Sequence, residues 1–429
     1  MVSPETTKNR WLIAASAIAI HLSIGSVYAY SVYQKPLQSS QGWSIGDVSL
    51  AFTVAIFTLG TGAAFLGRYV EKYGPRRSGR AAAVAFGGGT VLAGVAVRYG
   101  SHAGFLATYG VVAGVGLGVG YITPVSTLVK WFPDHRGVAT GLAVMGFGAG
   151  ALVTGPVANF LIGAVGIPST FYTLGVGYFL LMTAGASYLE KPPAGWVPEG
   201  MDPAEMAATD DHGVVVGTDL EQRTAREALR TPQFYLVWLV VFVNISAGIM
   251  LLSVASNMTQ EITGASATVA ATVVGLIGVF NGAGRIVWSS LSDAFGRTRT
   301  YGLFFVLQLA AFLTLPTVTD VRLFAALLFL IITCYGGGFA CLPAYLADLF
   351  GTQELGAIHG YTLTAWSLAG VAGPTLVARI VELTGSYRLA FYVVSVGLLV
   401  GLGCVVVLYW RIGVVRRAQL RGTPHGFAR

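Results

Sequence analysis

Polar positions along this chain are gathered into short clusters, and between them apolar runs continue for about 20 residues or more. A run of that length crosses the roughly 30 Å hydrocarbon core of a bilayer as a helix, the form in which one segment satisfies its own backbone N–H and C=O groups. Twelve segments qualify: 11–33, 48–67, 81–99, 103–129, 138–165, 169–189, 233–256, 267–290, 299–318, 322–347, 357–381 and 387–410. The pattern predicts an all-α membrane protein with twelve transmembrane helices. Connections are mostly short, except for 190–232, which is polar, rich in Pro, Asp and Glu, and divides the chain six plus six. The expected domains are 1–189, a cytoplasmic linker at 190–232, and 233–429 with a cytoplasmic tail. The opening residues, MVSPETTKNR, lead into the first apolar run and read as the start of a retained helix rather than a cleaved signal.

Composition agrees with this. Over the 429 residues, 54% are hydrophobic and only 10% charged, less than half of the roughly 25% charged residues of an ordinary soluble domain. The 57 glycines fit closely packed helices, and the composition excludes disordered, collagen-like and disulfide-rich classes. The net charge of +7 is scattered among apolar runs, so it forms no face for a nucleic acid. It reports topology instead. With the N-terminus inside, twenty of the 26 Lys and Arg residues fall on the inner side, five (Lys35, Arg98, Arg322, Arg379 and Arg388) on the outer side, and Arg285 lies within a helix. Cytoplasmic segments carry such an excess, so both termini are predicted cytoplasmic in a multi-pass plasma (inner) membrane protein. Cys334, Cys341 and Cys404 sit in apolar runs and read as small hydrophobes.

A weak internal repeat follows the same division. After the second segment stands Gly67-Arg68-Tyr69-Val70-Glu71-Lys72-Tyr73-Gly74-Pro75-Arg76-Arg77, and after the eighth Ser289-Ser290-Leu291-Ser292-Asp293-Ala294-Phe295-Gly296-Arg297-Thr298-Arg299. Each has an acid three residues before a glycine, then basic residues. Glycine permits a tight reversal between helices, and the acid can pair with a helix N-terminus or a neighbouring Arg. These stretches resemble the G-x-x-x-D-x-x-G-R-type motif of the major facilitator superfamily, and the resemblance spans essentially the whole chain. Glu71 stands where the family usually has Asp, whereas Asp293 keeps it. The resemblance implies two six-helix bundles rocking about a central site, with Gly67, Glu71, Gly74, Arg76, Asp293, Gly296 and Arg297 forming gating motifs on the cytoplasmic side.

Arg285 lies well inside the eighth segment, where an ionised side chain costs about 2.5–3.5 kcal/mol on translocon scales. Two roles are open to it. The guanidinium either snorkels to the interface or pairs with Asp293, or it serves as a planar, permanently charged clamp for a carboxylate. Asn281, four residues earlier, shares its helix face and offers an amide, for substrate or for a neighbouring helix. No Asp or Glu falls mid-membrane in the twelve segments, since Asp47, Asp348 and Glu382 lie near predicted ends. Such a cavity is positive and suited to an anion. Tyr28 and Tyr33, Tyr121, Tyr335 and Phe339, and Trp366 are the aromatic candidates for its walls, each with packing as its ordinary role.

Within the superfamily, the chain resembles the monocarboxylate porters and the oxalate/formate antiporter group. The likeness rests on Asn9-Arg10-Trp11, on Lys130-Trp131-Phe132-Pro133-Asp134-His135-Arg136-Gly137, on Arg230-Thr231-Pro232-Gln233-Phe234, on Asn281 to Arg285, and on Asp348-Leu349-Phe350-Gly351. It implies that Arg285 is the ligand of the substrate carboxylate, assisted by Asn281, with Tyr28, Tyr121, Tyr335 and Phe339 walling the site. The oxalate antiporter places a lysine in its eleventh helix, and Trp366 stands there in this chain. One buried cation suits one carboxylate, because a dianion would leave a charge unpaired. The expected cargo is a short monocarboxylate such as lactate or pyruvate. Animal monocarboxylate porters carry an Asp four residues before the arginine and a Lys in the first helix; here the former is Asn281 and the latter is absent. Proton symport then requires another titrating group, and His21 and His359 are the candidates.

The expected function is a secondary active transporter of short monocarboxylates, proton-coupled and working by alternating access, as a monomer. Anion exchange of the oxalate/formate kind is the alternative. No metal-ligand cluster, nucleophile elbow or phosphate loop accompanies the apolar runs, so an enzyme, a cofactor and a metal are not expected. The partners are a small anion, a proton and the lipid bilayer, with no nucleic acid.

Overall fold

The structure is a computed structural model that describes residues 8–193, 196–198 and 222–420. Both extreme termini and much of the 190–232 linker lie outside the described residues, and so does the expected placement of those termini. Among the described residues there is no strand. The helices, in order, are α1 (Arg10–Ile24), α2 (Ser31–Gln41), α3 (Ile45–Tyr73), α4 (Pro75–Arg98), α5 (His102–Phe105), α6 (Gly114–Trp131), α7 (Arg136–Tyr188), α8 (Ala225–Ala228), α9 (Pro232–Thr263), α10 (Ala267–Phe295), α11 (Arg297–Thr314), α12 (Val321–Phe350), α13 (Leu355–Thr384) and α14 (Arg388–Leu420). Among the described residues, eleven helical stretches are long and apolar enough to cross a membrane. The longest, α7 at 53 residues, is broken at Gly166 (φ 78°), so twelve crossings are accounted for.

Local sequence sets the helix ends. Asn9 caps α1, Ser44 and Asp47 form a capping box on α3, Thr231 caps α9 just before Pro232, and Asp320 accepts from the amides of Arg322 and Leu323 at the start of α12. The turns α3–α4 and α10–α11 each pivot on one glycine at positive φ, Gly74 at 80° and Gly296 at 84°, where a side chain would be strained. These are the two halves of the internal repeat.

Three departures from the sequence pattern have physical causes. The first segment is not one α-helix: α1 passes into a 3-10 turn at Gly25–Ala29 before α2. A Cβ on Gly25 would stand 1.9 Å from the Phe147 carbonyl oxygen, so α7 backbone packs directly on this turn. The fourth segment begins with a π-helical stretch at Leu106–Ala113, and Thr58 of α3 donates to the Gly110 carbonyl there at 2.6 Å. In the 190–232 region, a short α8 precedes α9, capped by Thr224 and Glu227.

The chain forms two compact units, Met1–Ala207 with Thr352–Ser367, and Ala208–Gly351 with Leu368–Arg429. The first part of α13 thus packs in the first unit and its remainder in the second. In the first unit α4 and α1 pack on α7, and α3 and α4 on α6; in the second α10 packs on α12, and α14 on α11 and α9. Tyr33 belongs to the packed interior of the first unit, its ring 4.8 Å from Phe171 in a cluster with Tyr30, Phe105 and Tyr109. In the second unit the buried amides of Asn244 and Gln308 bond each other at 2.7 Å. Cys334 and Cys341 are buried. Phe65, Phe160, Val396 and Trp410 are among many large apolar side chains left more than half exposed, which suits a lipid-facing surface.

Candidate functional site

The second unit holds the cation. Arg285 lies on α10 at 1% exposure, and its Nε donates to Asn281 Oδ1 at 3.2 Å, one turn earlier. That bond fixes the plane of the guanidinium. Its carbon stands 5.8 Å from the centre of the Phe339 ring on α12, and Tyr335 packs edge-on against Phe339 at 5.3 Å. Glycine explains this proximity. A Cβ at Gly336 would lie 2.4 Å from the Asn281 carbonyl oxygen and 3.2 Å from Arg285 Cγ, so α12 can approach the Arg285 stem only with hydrogen at that position.

The acids near the far end of α10 are engaged elsewhere. Arg297 pairs with Asp293, donates to Ser292, and reaches Asp348 at 3.3 Å. Asp293 is eight residues from Arg285 on a continuous helix, a rise of about 12 Å. The buried Arg297–Asp293–Asp348 cluster therefore marks the repeated-motif end of this unit, and Arg285 sits in a separate, aromatic environment.

The first unit contains an aromatic box. Phe147 of α7 lies 5.0 Å from Tyr28, 5.4 Å from Tyr121 and 5.8 Å from Trp366; Trp366 in turn lies 5.8 Å from Tyr121 and 6.5 Å from Tyr28. Tyr28 comes from the 3-10 turn after α1, Tyr121 from α6, and Trp366 from the part of α13 in this unit. Phe147 was not among the sequence candidates. Its signal was faint: a lone aromatic between Phe132 and Phe160, flanked by Gly146, Gly148 and Gly150.

Both candidate histidines border this box. His21 is fully buried and stacks on Tyr121, with ring centres 5.2 Å apart and planes 16° apart. Its Nδ1 lies 2.7 Å from the Ala143 carbonyl oxygen and its Nε2 3.0 Å from that of Tyr121. His359, on the second turn of α13, is also fully buried, with its ring 5.8 Å from Tyr121; neither ring nitrogen has a hydrogen-bond partner among the described residues. It is an interior residue of the helix bundle rather than one exposed at a helix end.

The first copy of the repeated motif lies in the same unit. Glu71 Oε2 accepts from Lys130 at 2.7 Å and Lys191 at 3.0 Å, while Oε1 accepts from the Gly356 amide at 3.1 Å, at the N-terminus of α13. A Cβ on Gly67 would strike the Gly356 carbonyl oxygen, so α3 and the start of α13 touch backbone to backbone. Arg76 pairs with Glu190 at 3.1 Å at the surface, and Arg10 with Asp134 at 2.8 Å. Among the described residues no cluster of His, Cys, Asp and Glu could hold a metal ion.

Comparison with known proteins places these features in a family. The profile of the Major Facilitator Superfamily matches residues 16–256 and 237–425. The chain is 29% identical over 422 residues to the oxalate:formate antiporter of Oxalobacter formigenes, covering 97% of this chain and 95% of that protein. It is 26% identical over 339 residues to apicoplast pyruvate carrier 1 of Toxoplasma gondii, covering 67% and 61%, and 23% identical over 314 residues to monocarboxylate transporter 10 of Danio rerio, covering 71% and 58%. Among solved structures it is similar to the human organic anion transporter MFSD10 (TM-score 0.71, 14% identity, 93% of this chain and 100% of that one) and to FucP in the outward conformation (0.71, 13%, 92% and 98%). A matching profile over nearly the full length, relatives named as carriers and an all-helical fold with twelve apolar crossings lead to one conclusion: the chain belongs to the Major Facilitator Superfamily and is a multi-pass membrane transporter.

Proposed function

We propose that this transporter carries short monocarboxylates of the lactate and pyruvate kind, with proton symport, by alternating access. The observation that carries the proposal is Arg285. A fully buried guanidinium on an apolar helix, oriented by Asn281 and laid against Phe339, is a fixed cation in low dielectric, where a single carboxylate offers the matching charge and a planar pair of oxygens. Arg285 holds the carboxylate, Asn281 assists, and Tyr335 and Phe339 supply the wall. Tyr28, Tyr121 and Trp366 are the aromatic binding residues of the first unit, where Trp366 accommodates a short alkyl or hydroxyalkyl tail and stands in place of the lysine that would meet a second carboxylate.

Residues 1–189 and 233–429 are the two rocking bundles, joined by 190–232, with both termini cytoplasmic in the plasma (inner) membrane and the monomer as the working unit. Anion binding neutralises the site and favours closure. The motif residues Gly67, Glu71, Gly74, Arg76, Asp293, Gly296 and Arg297 gate the cytoplasmic side, and His21 and His359 are the titratable groups through which a proton enters the cycle.

Titration of purified protein with lactate, pyruvate, formate and oxalate tests the cargo class. We expect lactate and pyruvate to bind, oxalate to bind no better than lactate, and Arg285→Ala to abolish binding; oxalate as the preferred ligand overturns the monocarboxylate assignment. Identity of 29% to the oxalate:formate antiporter supports a second reading, anion exchange. Vesicles separate the two: uptake driven by an imposed pH gradient without internal anion is the symport result, and a strict requirement for internal anion is the exchange result.

A further inference from the structure

The two contacts of His21 carry a consequence for its protonation. Its ring nitrogens meet two backbone carbonyl oxygens, Ala143 at 2.7 Å and Tyr121 at 3.0 Å, and a carbonyl oxygen only accepts. A neutral imidazole has one N–H and one bare lone pair, so either tautomer would press a lone pair against an oxygen at hydrogen-bond distance. The doubly protonated ring donates to both. Burial opposes the charge, since an ion taken out of water is disfavoured unless hydrogen bonds compensate it. Against that stand two charge-assisted hydrogen bonds and the stacked face of Tyr121, whose π-electrons attract a cation. Titratable groups on the elements packed about His21 include Tyr121 on α6, His359 on α13 across the Tyr121 ring, Tyr28 on the turn that follows α1, and Tyr178 on the second part of α7, which bonds Ser26 and Thr154. The stretch of α7 that supplies Ala143, residues 139–150, contains none.

We infer that His21 is a resident imidazolium, held by the Ala143 and Tyr121 carbonyls, whose charge against Tyr121 makes the aromatic box of the first unit a receptor for anions. His21 is a positioning residue: it acts through Tyr121, strengthening the phenol as a donor toward a carboxylate. This rests on the monocarboxylate reading for the role of Tyr121, but not for the charge itself. A proton retained by His21 does not travel with the cargo, so on this inference His21 acts on the anion rather than as a proton carrier.

The test uses full-length protein in lipid nanodiscs, labelled with 15N in the histidine rings. At pH 7.5 both ring nitrogens of His21 are expected to carry hydrogen, with the signal pair identified by its loss in His21→Gln. A single protonated nitrogen beside a bare one overturns the inference. If His21→Gln does not fold, replacing the other five histidines leaves the His21 pair alone in the spectrum and decides the same question. Lactate titration reads the second half: His21→Gln should weaken binding about tenfold, and a change below about twofold removes the proposed action through Tyr121. Should wild-type protein bind no lactate, the monocarboxylate reading fails, and the spectrum alone still decides the charge on His21.

Discussion

Arg285 and Asn281 form a unit one helical turn long, in which the amide oxygen takes the Nε–H at 3.2 Å and sets the direction of the guanidinium. Asn281→Asp replaces that neutral oxygen with a carboxylate beside the same cation. While ionised, the new acid occupies Arg285 and competes with the cargo; once protonated, it releases it. Lactate affinity at pH 7.5 should therefore fall about tenfold or more and recover as the pH is lowered toward about 5.5, a reversal that binding titrations across pH will register. A loss equal at both pH values contradicts it.

Gly336 is the contact point of α10 and α12. Gly336→Ala puts a methyl 2.4 Å from the Asn281 carbonyl oxygen, so the helices must separate or the site distort, at about 1–3 kcal/mol. The melting temperature should drop and lactate binding weaken together. Gly278 on α10 has nothing within 4 Å of its would-be Cβ, and Gly278→Ala should leave both unchanged or raise the melting temperature slightly through helix propensity.

Glu71 gathers Lys130, Lys191 and the Gly356 amide on one largely buried carboxylate. Glu71→Gln removes the charge that holds the two lysines while keeping an oxygen for the amide. Because this cluster is distinct from the aromatic box, lactate affinity in nanodiscs should stay within about twofold while uptake into vesicles falls about tenfold. Equal losses in both assays would mean that Glu71 supports the fold as a whole.

The capping box ahead of α9 is pH-sensitive at its exposed end. The Thr224 amide, and then its hydroxyl, bond the Glu227 carboxylate and hold its pKa below the ordinary carboxylate range. A depressed folded-state pKa gives stabilisation that is present above the unfolded value, about 4.3, and is lost as the pH falls through the folded value. Hydrogen exchange at the α8 amides should quicken below about pH 4, and Thr224→Ala should remove this dependence.

The helical crossings were legible because bilayer thickness imposes one length on every apolar run, and glycines at positive φ mark the repeated reversals at Gly74 and Gly296. Arg285 was legible because charge inside an apolar helix is costly enough to need a reason. What escaped was decided by packing. Tyr28 and Tyr33 look equivalent as letters, but the 3-10 turn between Gly25 and Ala29 shifts the helical phase, and Tyr33 ends against Phe171 while Tyr28 meets Phe147. Phe147 looks like an ordinary membrane residue until α1, α6 and α13 bring three aromatic rings around it. His359 stands near a helix start in the sequence, where solvent would be expected, yet α6 and α3 cover it: the Tyr121 ring packs beside it, and Gly360 lies against the Ala63 carbonyl.

The glycine seam between α10 and α12 also bears on how such a carrier can change over generations. With no room for even a methyl group at 336, a lineage adapting to a bulkier cargo has no gradual route through that position. Variation must fall instead on the rings at 335 and 339, where trimming a side chain makes room beside Arg285 without separating the helices. Divergent cargo preferences among carriers sharing this seam should accordingly track those two positions, with 336 held constant.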